Sequence, residues 1–167
     1  MSHSTCFVYT APLSRVNARL RLTESPEQYA PHPVESLRAS VKLLVHRPNR
    51  PHPATLDFRI DSGSGTPSMS LDLAEMLGIQ TIGPRGQISV TTGAGACWEW
   101  VRVGRICVQF PDLGREFHWT CHFHEKRPWT VPPMLGLHNV LDSLKLSFDR
   151  TRTPDAPYGS VVFQEYV

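Results

Sequence analysis

Asp61 stands where an alternating stretch, Leu56-Asp57-Phe58-Arg59-Ile60, runs into Ser62-Gly63-Ser64-Gly65. A carboxylate at the end of a buried strand, beside hydroxyls and glycines that expose backbone N–H groups, can be held ionised or made to share a proton. That is acid/base chemistry. The bland alternative is an Asx-turn in which Asp61 only ends a strand. A second group, His118, His122 and His124 with Cys121, places three imidazoles on one strand face by period-two alternation. Their spacing matches no common zinc motif and one strand spreads them too far to converge, so they are read as surface histidines, with no metal and no cofactor assigned. Cys97 and Cys121 have no activating neighbour in sequence and are read as buried thiols.

The elements that must position Asp61 follow from hydrophobic alternation. Val41, Leu43 and Val45, then Leu56, Phe58 and Ile60, predict a two-stranded hairpin whose long polar, proline-rich tip spans 46–53. Ser70 is a good N-cap, Asp72 falls in the first turn, Leu73, Met76 and Leu77 share a face and Gly78 closes the segment, which predicts a helix over 71–77. Residues 88–92 and 97–103 are β-rich and joined by Gly93-Ala94-Gly95, a hairpin with glycines at its tip. Strands over 106–110 and 117–124 follow around the turn at Pro111-Asp112-Leu113-Gly114. Gly136 interrupts the apolar run Met134-Leu135-Gly136-Leu137 and marks a close backbone approach ahead of a second short helix. Strands over 144–149 and 159–167 complete an all-β chain.

The 167 residues suit one domain with its own core. Residues 1–39, broken by Pro26, Pro31 and Pro33, read as an N-terminal extension, and 40–167 as the main domain. With 17 basic against 15 acidic residues and no basic cluster, neither nucleic acid nor an anionic membrane is an expected partner. Trp98, Trp100, Trp119 and Trp129 read as core, rim or interface residues, because no basic groove accompanies them. No run approaches a membrane span and residues 1–5 do not look like a signal peptide, so a cytoplasmic location with reduced thiols is expected.

The order of these features resembles the retropepsin-like aspartic proteases, including single-domain bacterial relatives of the retroviral enzymes. The resemblance covers residues 40–150. It is carried by Phe58-Arg59-Ile60-Asp61-Ser62-Gly63-Ser64, Leu73-Ala74-Glu75-Met76-Leu77-Gly78-Ile79, the hairpin over 89–103, Met134-Leu135-Gly136, and the ending Leu144 to Asp149. Arg59, Gly65-Thr66-Pro67 and His138 depart from the usual pattern and bear on substrate contacts. The resemblance implies a closed acid-protease barrel with one or two short helices and a flap hairpin, with Thr91, Thr92, Gly93, Ala94 and Gly95 at the flap. Asp61 would be catalytic, Ser62, Gly63 and Ser64 its supporting turn, and Met134, Leu135 and Gly136 the motif beneath it. Such chemistry needs two carboxylates sharing one proton, and this chain has one Asp-Ser-Gly. A homodimer with Asp61 of each copy at the two-fold axis is therefore expected, acting on a polypeptide. The alternatives are a non-catalytic peptide-binding or scaffold module on the same fold, and a metal-binding β-domain using His118, His122 and His124.

Overall fold

The computed structural model describes residues 7–20, 32–92 and 95–166. Alternation is what builds it. In β4 (Ser40–Val45) the side chains of Val41, Leu43 and Val45 are buried, and in β9 (Glu116–His124) those of Phe117, Trp119, Cys121 and Phe123 are, so each strand turns one face to a shared core. The remaining strands are β1 (Val8–Pro12), β2 (Ser14–Leu20), β3 (His32–Arg38), β5 (Ala54–Ile60), β6 (Ser68–Ser70), β7 (Thr81–Thr92), β8 (Gly95–Gln109), β10 (Met134–Leu135), β11 (Leu144–Asp149) and β12 (Ser160–Glu165). The all-β class expected from the sequence is the class the chain adopts.

The largest sheet runs β4-β5-β10-β6-β9-β8-β7, and β4 also pairs with β8. Its pairings therefore return to their starting strand, making a closed circuit β4-β5-β10-β6-β9-β8. Closure is brief: Leu44 faces Gln109 and Val45 faces Val108. β10 lies between two strands that precede it by far in sequence, parallel to β5 through Met134↔Arg59 and Leu135↔Ile60, and antiparallel to β6 through Met134↔Ser68. A second sheet, β1-β12-β11, packs on the first through an aromatic cluster. Phe110 meets Phe7 and Phe163 at ring-centroid distances of 5.1 Å, and Phe117 at 5.7 Å. Phe7 and Ala11 thus lie in the core although they belong to the first 39 residues. β2 and β3 form a separate hairpin.

Among the described residues the one α-helix is α1 (Leu71–Met76). Ser70 caps it, its hydroxyl accepting the N–H of Leu73 at 3.1 Å, and Leu73 and Ala74 are its buried face. Ser70→Ala is expected to cost about 1 kcal/mol, read as a lowered urea midpoint. An unchanged midpoint would mean that β6 and the core hold this turn without the cap.

Two elements differ from expectation. The segment after Gly136 makes helical hydrogen bonds, Leu141 N–H to Leu137 O and Leu144 N–H to Val140 O at 2.9 Å, but remains a set of turns. Asn139 has φ of +64°, which interrupts any helix. Residues 97–103 and 106–109 belong to one strand, β8. Gly104 does not break it. The ring of Phe123 fills the space where a Cβ would stand, 2.5 Å away at Cε2. No helix among the described residues is long and apolar enough to cross a membrane.

Candidate active site

Asp61 leaves β5 at the point where β10 grips it. Its N–H donates to Leu135 O at 3.1 Å, Arg59 N–H donates to Pro133 O at 2.8 Å and Ile60 N–H to Ala39 O at 2.9 Å. The loop that follows is closed locally by Ser64 N–H on Asp61 O at 3.1 Å and Ser64 Oγ–H on Thr66 O at 3.0 Å. It is also held from outside, because Leu137 N–H donates to Ser64 O at 3.0 Å and His138 N–H to Gly65 O. Gly136 makes this grip sterically feasible: a Cβ there would come within 2.4 Å of the carbonyl carbon and oxygen of Thr66. Met134, Leu135 and Gly136 thus underlie the loop of Asp61, Ser62, Gly63 and Ser64.

The Asp61 carboxylate is oriented by Gly63, whose N–H donates to Oδ1 at 2.9 Å. A Cβ on Gly63 would sit 3.3 Å from that same oxygen, which favours glycine beside the carboxylate. Ser62 is exposed. The carboxylate opens into a cleft of about 630 Å³. Its floor is the 61–66 loop, and Ile88, Ser89 and Val90 of β7 with Glu99 of β8 form the opposite side. Those two strands are the hairpin expected as a flap, paired out to Thr91↔Ala96 and Thr92↔Gly95. Gly93 and Ala94 lie outside the described residues.

The far wall holds Glu99 and Arg127, which motif reading missed, with two of the histidines read as surface groups. Ring Nδ1 of His124 lies 2.5 Å from Glu99 Oε2, and the Arg127 guanidinium reaches Ser68 Oγ at 3.0 Å and His124 Nδ1 at 3.5 Å. His122 completes this wall. Burial, then Arg127, lowers the pKa of His124 against the upward pull of Glu99. Burial and His138 lower that of His122. Register alone assembles this wall: Glu99 faces Ile88 across one ladder, while Val101 and His124 are paired across the next.

The histidines are thus not a single surface group: His118 is exposed, His122 half-buried and His124 buried, because β9 runs from the outside of the sheet into the cleft. The cysteine reading is also split. Cys121 is buried and its thiol is pushed strongly up by burial, whereas Cys97 is exposed on the β7–β8 ribbon, which projects past the core. Of the tryptophans, Trp119 is core, Trp100 lies beneath the Arg85 guanidinium at 4.0 Å, and Trp98 and Trp129 are exposed.

Among solved structures, the chain is similar to a retropepsin-like aspartic protease from Rickettsia conorii. That match has a TM-score of 0.49 and 11% identity, over 99% of this chain and 98% of that one. It is also similar to the EIAV protease in complex with the inhibitor HBY-793, with a TM-score of 0.43 and 15% identity, over 63% of this chain and 86% of that one. No protein-family model and no curated protein matches the sequence.

Proposed function

We propose that the chain is an aspartic endopeptidase that works as a homodimer without a cofactor. The observation that carries this reading is the placement of Asp61: an oriented carboxylate on a loop clamped from beneath by Leu135 and Gly136, opening into a cleft covered by a β-hairpin. A cleft between a loop and a ribbon takes an extended polypeptide, and closure of the ribbon excludes water from the reacting bond.

In this mechanism Asp61 of one copy, ionised, removes a proton from a water whose oxygen attacks the scissile carbonyl carbon. Asp61 of the other copy, protonated, donates to the carbonyl oxygen. Collapse of the tetrahedral intermediate breaks the C–N bond, the proton taken from water passing to the leaving amine while the hydroxyl formed from the carbonyl oxygen returns its proton to the second Asp61. In this reading Ser62 would bond across the axis, and Gly63 brings its N–H to the carboxylate. Glu99, the other carboxylate of the cleft, is engaged by His124 and is not assigned the second role.

Activity that depends on pairing has a kinetic signature. Specific peptidase activity on a mixed peptide library is expected to rise with protein concentration and to reach its plateau where light scattering reports two chains. Specific activity independent of concentration in a monomer would overturn the pairing and shift the second role to Glu99. No cleavage by a demonstrated dimer would favour a peptide-binding module, in which the Gly63–Asp61 bond serves only as an Asx-turn.

A further inference from the structure

We infer that His46, Cys107 and Glu116 form a site for one divalent metal ion of the zinc class, placed at the seam where the strand circuit closes. The three residues come from three places in the fold: just past the end of β4, within β8, and at the start of β9. Their ligating atoms all lie within 4.8 Å of one another, the one such grouping among the described residues. Backbone pairing fixes the arrangement. His46 N–H donates to Cys107 O at 2.9 Å, extending the Leu44↔Gln109 and Val45↔Val108 ladder, and Gln109 pairs with Glu116.

The donor set selects the ion. One thiolate, one imidazole and one carboxylate suit zinc and its borderline-soft neighbours and disfavour magnesium and calcium. At ordinary Zn–S, Zn–N and Zn–O lengths, tetrahedral ligands stand roughly 3.3–3.8 Å apart, so small side-chain shifts bring these atoms into place. His46 Nε2 is buried and makes no hydrogen bond, although Glu116 Oε1 is 3.3 Å away; their separation lacks hydrogen-bond alignment. A metal would satisfy that nitrogen. The Cys107 thiol lies within 4.8 Å of the same carboxylate. Binding displaces the thiol proton to solvent. His46 and Glu116 are partly exposed, so ions can enter, and a water can take the fourth position.

The test uses the full chain after chelator treatment and dialysis, titrated with zinc chloride by calorimetry and with cobalt(II) by absorption. One ion per chain is expected, with a sulfur-to-cobalt charge-transfer band. Cys107→Ser and Glu116→Gln should each weaken zinc binding at least about tenfold, since even outer partners of a metal contribute that much. Cys97→Ser, which removes an exposed thiol elsewhere, should bind like the parent. Glu116 is exposed at the start of β9, so its variant keeps the test meaningful if Cys107→Ser folds poorly. The absence of stoichiometric binding, or binding that survives both site variants, would overturn the proposal. So would loss of binding in Cys97→Ser.

Discussion

Asp61→Asn is expected to lower hydrolysis of a mixed peptide library by at least about 10³-fold, within the range a positioned acid/base group supplies. The substitution changes little except ionisation. Asparagine has the same shape, and its side-chain oxygen can still accept the Gly63 N–H that now lies 2.9 Å from Oδ1. The loop is further held by backbone bonds to Leu135, Leu137 and His138, none of which the variant touches. What disappears is a group that can remove a proton from water. In a dimer it disappears twice, from the base and from the acid. The informative measurement pairs the rate with solution mass and circular dichroism: a folded variant with unchanged association and near-zero turnover is the expected result. Undiminished cleavage would move the chemistry away from Asp61, and Glu99 with His124 would be the next carboxylate to replace.

Gly136→Ala should have the largest effect on stability, about 3 kcal/mol or more, at or beyond the upper end for overpacked sites. The new methyl would lie 2.4 Å from both C and O of Thr66 and 2.7 Å from its N. Those are backbone atoms, so no side-chain rotation relieves the contact. They cannot withdraw easily, because Ser64 O and Gly65 O on the same loop accept bonds from Leu137 and His138, just beyond the glycine. Either the loop that carries Asp61 moves or β10 leaves its place. With total stabilities of about 5–15 kcal/mol, the loss is a large fraction of the whole. Gly65→Ala is the matched comparison, since nothing lies within 4 Å of a Cβ there; it should stay within about 1 kcal/mol of the parent. Equal urea midpoints for the two variants would show that β10 does not clamp the loop.

Much of the region around Asp61 was legible because its signals are local. Alternation at Val41, Leu43 and Val45, the Ser70 cap and the Gly136 interruption each report on neighbours within a few residues or on a single steric demand. The cleft wall was not legible in the same way. Glu99 and His124 are 25 residues apart and meet only because of the β8–β9 register. Nothing in the sequence around either residue records that register. The division between 103 and 106 failed for a related reason: one strand runs through it, and Gly104 there answers Phe123 on the neighbouring strand. Cys97 misled because a two-stranded ribbon extending past the core exposes both faces, whatever its pattern. His46, Cys107 and Glu116 are likewise separated in sequence and gathered by the closing ladder.

The insertion of β10 between β5 and β6 also sets an order of assembly. β5 and β6 are separated by only a short loop, yet neither pairs with the other; each waits for Met134 and Leu135, which arrive more than sixty residues later. A growing chain that ends before Met134 therefore has both edges of the Asp61 loop unpaired, and closing so long an intervening segment carries an entropic cost that slows folding. The bonds from β10 that clamp the Asp61 loop can form only once the chain on both sides of the cleft has been made. A chain built in this way cannot complete the clamp on the Asp61 loop until Met134 and Leu135 have been synthesised.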